Sequence, residues 1–495
     1  MANHDLINLE VNEEQRKKVA KIMKEKGVRI PTLKQMKDPS LIPDEIKEGL
    51  KKIGNWDIDP LNLYRISWYN EPKLEGGLFN DLPTYIEIPS EVSGVPAKIV
   101  AMSGKYFPTG CHKVGASYAC LVPRLVTGQF DPEYHSAVWP STGNYCRGGA
   151  FNSKLLGCKS IAILPENMSA ERFNWLKEVA NETIATYGSE SNVKEIYDET
   201  WRLRRERPDA VIFNQFAELG NHLWHYNITA GAMESIIEHY ISEDSNVNFA
   251  GVCVTSGSGG STATGDYLKK KYPLSKLAVG EALQCPTLLY NGYGDHRIEG
   301  IGDKHIPWVH NCKNTDMVMA IDDNDAVAQF ELFNEEAGHE FYKGLGVSQE
   351  TIDKMNLIGI SGAANILMCV KFAKYFELTE NDLLITVLTD SADMYGSRLE
   401  EYEEARGHKF NEQDAMLNYK QIQDLKIDHM EELSYYGKKR IHNLKYYTWV
   451  EQQGMEVSEL NAQWYDYDNY WERVHEMADE FDAAIEDFNA LIDEM

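Results

Sequence analysis

No apolar run in this sequence approaches the ~20 residues that a helix needs to cross a bilayer. The opening stretch, MANHDLINLEVNEEQRKK, carries no apolar core of the kind a secretory leader has. Positive charge is scarce as well: lysine and arginine total 49 against 77 aspartates and glutamates, a formal net charge of −28. A chain so acidic repels nucleic acid and anionic membranes, so neither is an expected partner. The eight cysteines (Cys111, Cys120, Cys146, Cys158, Cys253, Cys285, Cys312, Cys369) contain no CxxC pair. That spacing supports neither a zinc ribbon nor a disulfide framework, and no metal site is expected. Reduced, mostly buried thiols in a cytoplasmic protein fit it better. Any phosphate bound here must be held by local geometry, because the overall field repels it.

What is present suits a globular α/β protein. With 495 residues, 43% hydrophobic and 25% charged, the chain can build two lobes with good cores. Continuous apolar runs read as strands buried on both faces: residues 97–102 (AKIVAM), 160–164 (SIAIL), 250–255 (AGVCVT), 277–279 and 383–388 (LLITVL). A short strand at residues 85–89 precedes them, and helical patterns such as residues 170–181 and 364–376 lie between. The expected fold is therefore α/β with parallel-rich sheets flanked by helices. Residues 1–80 read as an N-terminal extension belonging to the large lobe, 81–399 as a two-lobed catalytic core, and 400–495 as a helical C-terminal extension. In the last of these, Val474, Met477, Phe481, Ile485, Phe488 and Ile492 recur at helical spacing opposite an acidic face. That stripe predicts a folded helix that docks on the body or on a partner subunit.

Five stretches carry chemistry. In YFPTGCHKVGA, a turn delivers His112 and Lys113 into a helix-starting run just after the strand at 97–102. A lysine can form a Schiff base with a carbonyl cofactor if its surroundings lower its pKa, although most lysines after a turn are simply solvated. Gly257, Ser258, Gly259, Gly260 and Ser261 lie between a strand and a helix, where backbone N–H groups converge on an anion. This loop lacks the Lys-[Ser/Thr] ending of a nucleotide P-loop and the spacing of a dinucleotide fingerprint. Ser141, Thr142, Gly143 and Asn144 open a helical stretch and suit capture of a carboxylate, or simple capping. Ser361 opens an alanine-rich helix, where capping is again the plain alternative, and Gln215 is a lone amide in NQF. Cys146 reads as a buried filler, and Asp295 and Glu299 as loop hydrogen-bonding residues.

Taken in order, PTGCHKV, STGN, NQF with ITAGAMESI, AGVCVTSGSGGSTATG, HRIEGIG with a later Ile306-Pro307, and GISGAA resemble segments of the fold type II pyridoxal-phosphate enzymes, the tryptophan synthase β-subunit and cysteine synthase family. The similarity runs from about residue 82 to 397. The resemblance implies pyridoxal 5'-phosphate as cofactor, two lobes with parallel-rich sheets, and a homodimer. It implies that Lys113 carries the cofactor and moves the α-proton. Gly257, Ser258, Gly259, Gly260 and Ser261 would hold the phosphate, and His112 would pack near it. Asn144 would bond the ring oxygen, Ser141, Thr142 and Gln215 would take the substrate carboxylate, and Ser361 would face the pyridine nitrogen. A neutral hydroxyl at that nitrogen implies a moderate electron sink, hence β-elimination or β-replacement on a small amino acid, as in cysteine synthases and serine/threonine dehydratases. The alternatives are a tryptophan synthase β-like subunit, a Rossmann-type dehydrogenase using the glycine loop, and a catalytically silent scaffold that binds a partner through its C-terminal segment. STGNYCR departs from the family's usual Thr-Gly continuation, and the terminal extensions have no counterpart in it.

Overall fold

A computed structural model describes residues 6–188 and 192–495, so the first residues of the opening stretch read above lie outside it. Eleven strands form among the described residues. In chain order they are β1 (Tyr85–Ile88), β2 (Lys98–Ser103), β3 (Ser136–Pro140), β4 (Lys159–Pro165), β5 (Glu182–Thr186) and β6 (Ala210–Ile212). β7 (Asn248–Thr255), β8 (Lys276–Ala282), β9 (Met317–Ile321), β10 (Asp382–Leu388) and β11 (Met430–Glu432) follow. The larger sheet has the order β1-β2-β10-β7-β8-β9-β11 and is parallel except at its two edges. The smaller sheet, β5-β4-β3-β6, is wholly parallel. The apolar runs singled out in the sequence are the inner strands β2, β4, β7, β8 and β10. Their side chains are buried on both faces because helices cover both sides of each sheet.

The C-terminal region is mostly helical but also supplies β11, which pairs antiparallel with β9 and closes one edge of the large sheet. Three residues, two of them glutamates, are too few to show an alternation in sequence, and a short charged strand is how a sheet edge is commonly protected. The final helix, Arg473–Glu494, buries all six residues of the predicted stripe. They pack on the chain's own body, against the helices Glu13–Glu25 and Lys113–Val126. Polar contacts fix the register. The carboxylate of Asp482 accepts from the backbone N–H groups of Leu33 (2.6 Å) and Lys34 (3.1 Å), capping the helix Leu33–Lys37. Arg29 pairs with Asp493 at 2.7 Å. Both ends of the chain are thus built against the helix that begins at Lys113. All eight cysteines are buried and unpaired.

Candidate active site

The Pro-Thr-Gly turn after β2 holds Thr109 at φ 68, a left-handed conformation that is costly for a threonine. It sets the start of the helix Lys113–Val126, which is buried along nearly its whole length. Lys113 leaves this helix at its first position. Its Nζ donates to Ser258 Oγ at 3.1 Å and to Gln215 Oε1 at 3.3 Å. The lysine is therefore half-buried and engaged by the glycine loop, not solvated. His112, beside it, is buried with Nδ1 lacking a protein partner. Burial and the neighbouring ammonium push its pKa down to about 3, so the ring is neutral.

The glycine loop follows β7 and turns through Gly260–Thr262 into the helix Ala263–Lys271. Gly259 has φ 77, and a Cβ there would lie 3.0 Å from Pro307. A Cβ on Gly257 would lie 2.5 Å from the carbonyl oxygen of Gly300, so the loop is packed on the segment HRIEGIG. Gly257, Ser258, Gly259 and Ser261 line a cavity together with His112 and Lys113. Gly260 lies behind them, where a Cβ would collide with Asn221 Oδ1. Asn365, Val387 and Thr389 also line the cavity. Ser361 is buried one helical turn before Asn365 and is not part of that lining. Asn365 itself accepts from the Thr255 N–H (2.8 Å) and donates to the Val387 carbonyl (2.7 Å), locking β7 to β10 beside the cavity.

The STGN loop leaves β3 and enters the helix Asn144–Leu155. Gly143 adopts φ 150, and a Cβ on it would strike the Arg172 side chain at 2.6 Å. Ser141 Oγ accepts from the Gly143 N–H at 3.0 Å, Thr142 is buried, and Asn144 Nδ2 donates to Asp390 Oδ2 at 2.7 Å. Asn144 Oδ1 is buried without a partner. Behind the loop, the buried guanidinium of Arg172 pairs with Glu299 and reaches Asp390 (3.5 Å) and Tyr395 (3.1 Å). Burial raises the Asp390 pKa, and Arg172 opposes that rise. Glu299 also accepts from Arg398 at 2.6 Å, so it anchors its loop as the sequence suggested. Cys146 is likewise a filler: its thiol donates to the Gly143 carbonyl, and burial pushes its pKa up to about 12.

Three site residues carry no signal in the sequence. Asn221 donates to Ser258 Oγ (3.0 Å) and to the Gln215 carbonyl (2.9 Å), joining two segments around Lys113. His225, which lines the cavity, sits edge-on to His112 with ring centroids 5.1 Å apart. Asp303 is buried, with a pKa raised to about 7 by burial, and the Lys113 ammonium pulls it down. Nothing in NHLWH or GIGDKHIP marks these residues, because their partners lie far away in the chain.

The arrangement fits a phosphate-bearing carbonyl cofactor. An amine projects into a cavity walled by a strand–glycine–helix loop. The buried atoms His112 Nδ1, Asn144 Oδ1 and Asn221 Oδ1 lack protein partners, which is costly unless a bound group or water satisfies them. Residues 95–340 match the family described as pyridoxal-phosphate dependent enzyme. The chain is 26% identical over 289 residues to a probable cysteine synthase of Bacillus subtilis, covering 58% of this chain and 85% of that one. It is 24% identical over 335 residues to cystathionine beta-synthase of Saccharomyces cerevisiae, covering 66% and 62%. Among solved structures, a hydrogen sulfide-producing enzyme from Fusobacterium nucleatum shares the fold at TM-score 0.54 and 22% identity, over 64% of this chain and 97% of that one. An O-acetylserine dependent cystathionine beta-synthase from Helicobacter pylori does so at 0.53 and 23%, over 64% and 95%. The two-sheet α/β fold, the lysine-bearing cavity and the sequence match agree: residues 95–340 belong to the pyridoxal-phosphate dependent enzymes of fold type II, and pyridoxal 5'-phosphate is the cofactor.

Proposed function

We propose that the protein is a lyase or transferase acting at Cβ of a small amino acid, by β-elimination or β-replacement, as a cytoplasmic homodimer. The observation that carries this reading is Lys113 Nζ held between Ser258 and Gln215 in a chain whose relatives are cysteine synthases and a cystathionine beta-synthase. When bound, the cofactor supplies an electron sink that acidifies the substrate Cα–H. Lys113 Nζ would hold the cofactor and would be the base that takes the α-proton. Gly257, Ser258, Gly259, Gly260 and Ser261 hold the phosphate, with His112 and Asn221 packed beside them. Asn144 orients the ring, and Ser141, Thr142 and Gln215 take the substrate carboxylate. Ser361 would face the pyridine nitrogen, on the helix whose Asn365 lines the cavity.

Eight buried thiols suit a reducing compartment. Exposed aromatic rings on the C-terminal segment, Tyr435, Tyr436, Tyr447 and Tyr465, suit a subunit interface. The test is incubation with serine, threonine, O-acetylserine and cysteine, with and without added sulfide. At least one should give a keto acid with ammonia, or a sulfur-exchange product. Conversion of an amino acid to its keto acid with accumulation of pyridoxamine phosphate would overturn the reading.

A further inference from the structure

Behind the glycine loop, three side chains from three distant segments meet in the interior. His222 comes from the helix Leu219–Trp224, Asp266 from the helix Ala263–Lys271 that starts at the loop, and His475 from the final helix Arg473–Glu494. All three are buried. The two Nε2 atoms lie 3.1 Å apart, and Asp266 Oδ2 lies 3.7 Å from the first and 3.9 Å from the second. The chemistry proposed above uses none of them.

The surroundings orient each group toward the other two. His222 Nδ1 lies 3.0 Å from the Val309 carbonyl, which can only accept, so the ring proton sits on Nδ1 and Nε2 presents a lone pair. Asp266 is held by two amide donors, Asn311 Nδ2 on Oδ2 at 2.9 Å and Asn314 Nδ2 on Oδ1 at 2.7 Å. His475 is fixed by stacking on Tyr226 with ring centroids 3.6 Å apart, and Glu472 Oε2 lies 3.8 Å from its Nδ1. Lys270, the cation nearest His475, is paired with that same Glu472 at 2.6 Å, while Lys445 and Lys269 act on His222 and Asp266. Outer groups that hold imidazole and carboxylate in this way are typical around metal ligands.

Hydrogen bonding alone accounts for one edge of the triangle. A proton on His475 Nε2 could bridge the two rings, but both edges to Asp266 are too long for a hydrogen bond. A tetrahedral ion bound at ~2.0–2.2 Å separates its ligand atoms by roughly 3.3–3.6 Å. The three distances here, 3.1, 3.7 and 3.9 Å, bracket that separation. We propose that His222, Asp266 and His475 bind one divalent transition-metal ion of the zinc class, with a water in the fourth position. Two imidazoles and a carboxylate suit that ion. The ion is structural. It clamps the final helix to the two helices that support the cofactor loop, since His222 adjoins Asn221 and Asp266 lies one turn beyond Ser261. The sequence shows nothing of this, because the three ligands are spread over more than half of the chain.

Elemental analysis of the full-length protein, purified without chelator, tests the site. About one equivalent of zinc per chain is expected. Co2+ exchanged into the chelator-stripped protein should give the visible absorption of a tetrahedral nitrogen–oxygen site. His475→Ala and Asp266→Asn should each lower the bound metal at least tenfold. Should these variants fail to fold, the stripped wild-type protein remains the test, because Zn2+ should raise its Tm. Two results overturn the proposal: metal-free protein whose Tm does not respond to Zn2+ or Co2+, or bound metal that persists in both folded variants.

Discussion

Nζ of Lys113 lies 3.1 Å from the hydroxyl of Ser258, joining the helix that follows β2 to the glycine loop that follows β7. The contact sets the amine at the mouth of the cup that would hold a phosphate. Borohydride reduction of the cofactor-loaded protein followed by peptide mapping should place the label on Lys113. Lys113→Ala should lower kcat/KM by ~10²–10⁴-fold, the range attributed to a positioned proton-transfer group, or by more. A label on another lysine removes this residue from the centre of the reaction.

The glycine loop tolerates no side chain at its sharpest point. Gly259 combines φ 77 with a Cβ position 3.0 Å from Pro307 and 3.2 Å from His310. Gly259→Val should strain the backbone and push the loop off the 306–310 segment. The expected result is a folded protein that loses its cofactor on dialysis, measured by absorbance. Retention equal to wild type would put the phosphate elsewhere.

Asp390 ties the STGN loop to the buried guanidinium of Arg172. Asp390→Ala leaves that cation with one carboxylate fewer and frees Asn144 Nδ2. Breaking a buried pair in this way costs roughly 3–5 kcal/mol, readable as a lower urea midpoint. Asp390→Asn keeps an acceptor for Asn144 and should cost less. Equal midpoints for wild type and both variants would show that the network carries no stability.

Phe481 is 1% exposed at the centre of the C-terminal stripe. Phe481→Ala should destabilise the whole chain by roughly 3–5 kcal/mol, because the helix shares its core with the helix that begins at Lys113. Denaturant unfolding should remain a single transition shifted to lower midpoint. Selective proteolytic loss of residues 473–495 with activity intact would show instead that the helix is a separate unit.

Asp303 gives a pH dependence with a definite sign. Its pKa in the folded chain is raised to about 7, so the native state keeps a proton that the unfolded chain has released above its ordinary pKa of about 4. This group therefore makes stability fall as pH rises from about 4 to about 7, and adds no further slope above that. The Tm of Asp303→Asn should gain on that of wild type across the same interval. A Tm difference independent of pH would mean that the carboxyl is solvated.

The lysine segment and the glycine loop were legible because each is a junction between a strand and a helix, written in fewer than a dozen consecutive residues. The same holds for the stripe from Val474 to Ile492, whose period alone identifies the buried face. Ser361 and Asn365 mark the limit of such reading. They lie one turn apart on one helix, and only the depth of that helix against β10 puts Asn365 at the cavity wall. The strand β11 also stayed hidden, since an edge strand of three residues needs only a partner, not a pattern.

By itself, the sequence determined the α/β class, the strands buried on both faces, the glycine loop between a strand and a helix, and the fold of the last helix. These follow from periodicity and local backbone chemistry, which act between neighbours in the chain. Tertiary structure alone decided that Asn221 would brace Ser258, that Asp390 and Arg172 would stand behind Asn144, and that His222, Asp266 and His475 would converge. A polar side chain becomes a ligand, a brace or an acid only when burial removes water and a partner from another segment replaces it. That partner is chosen by how sheets and helices pack, which no local window of residues contains.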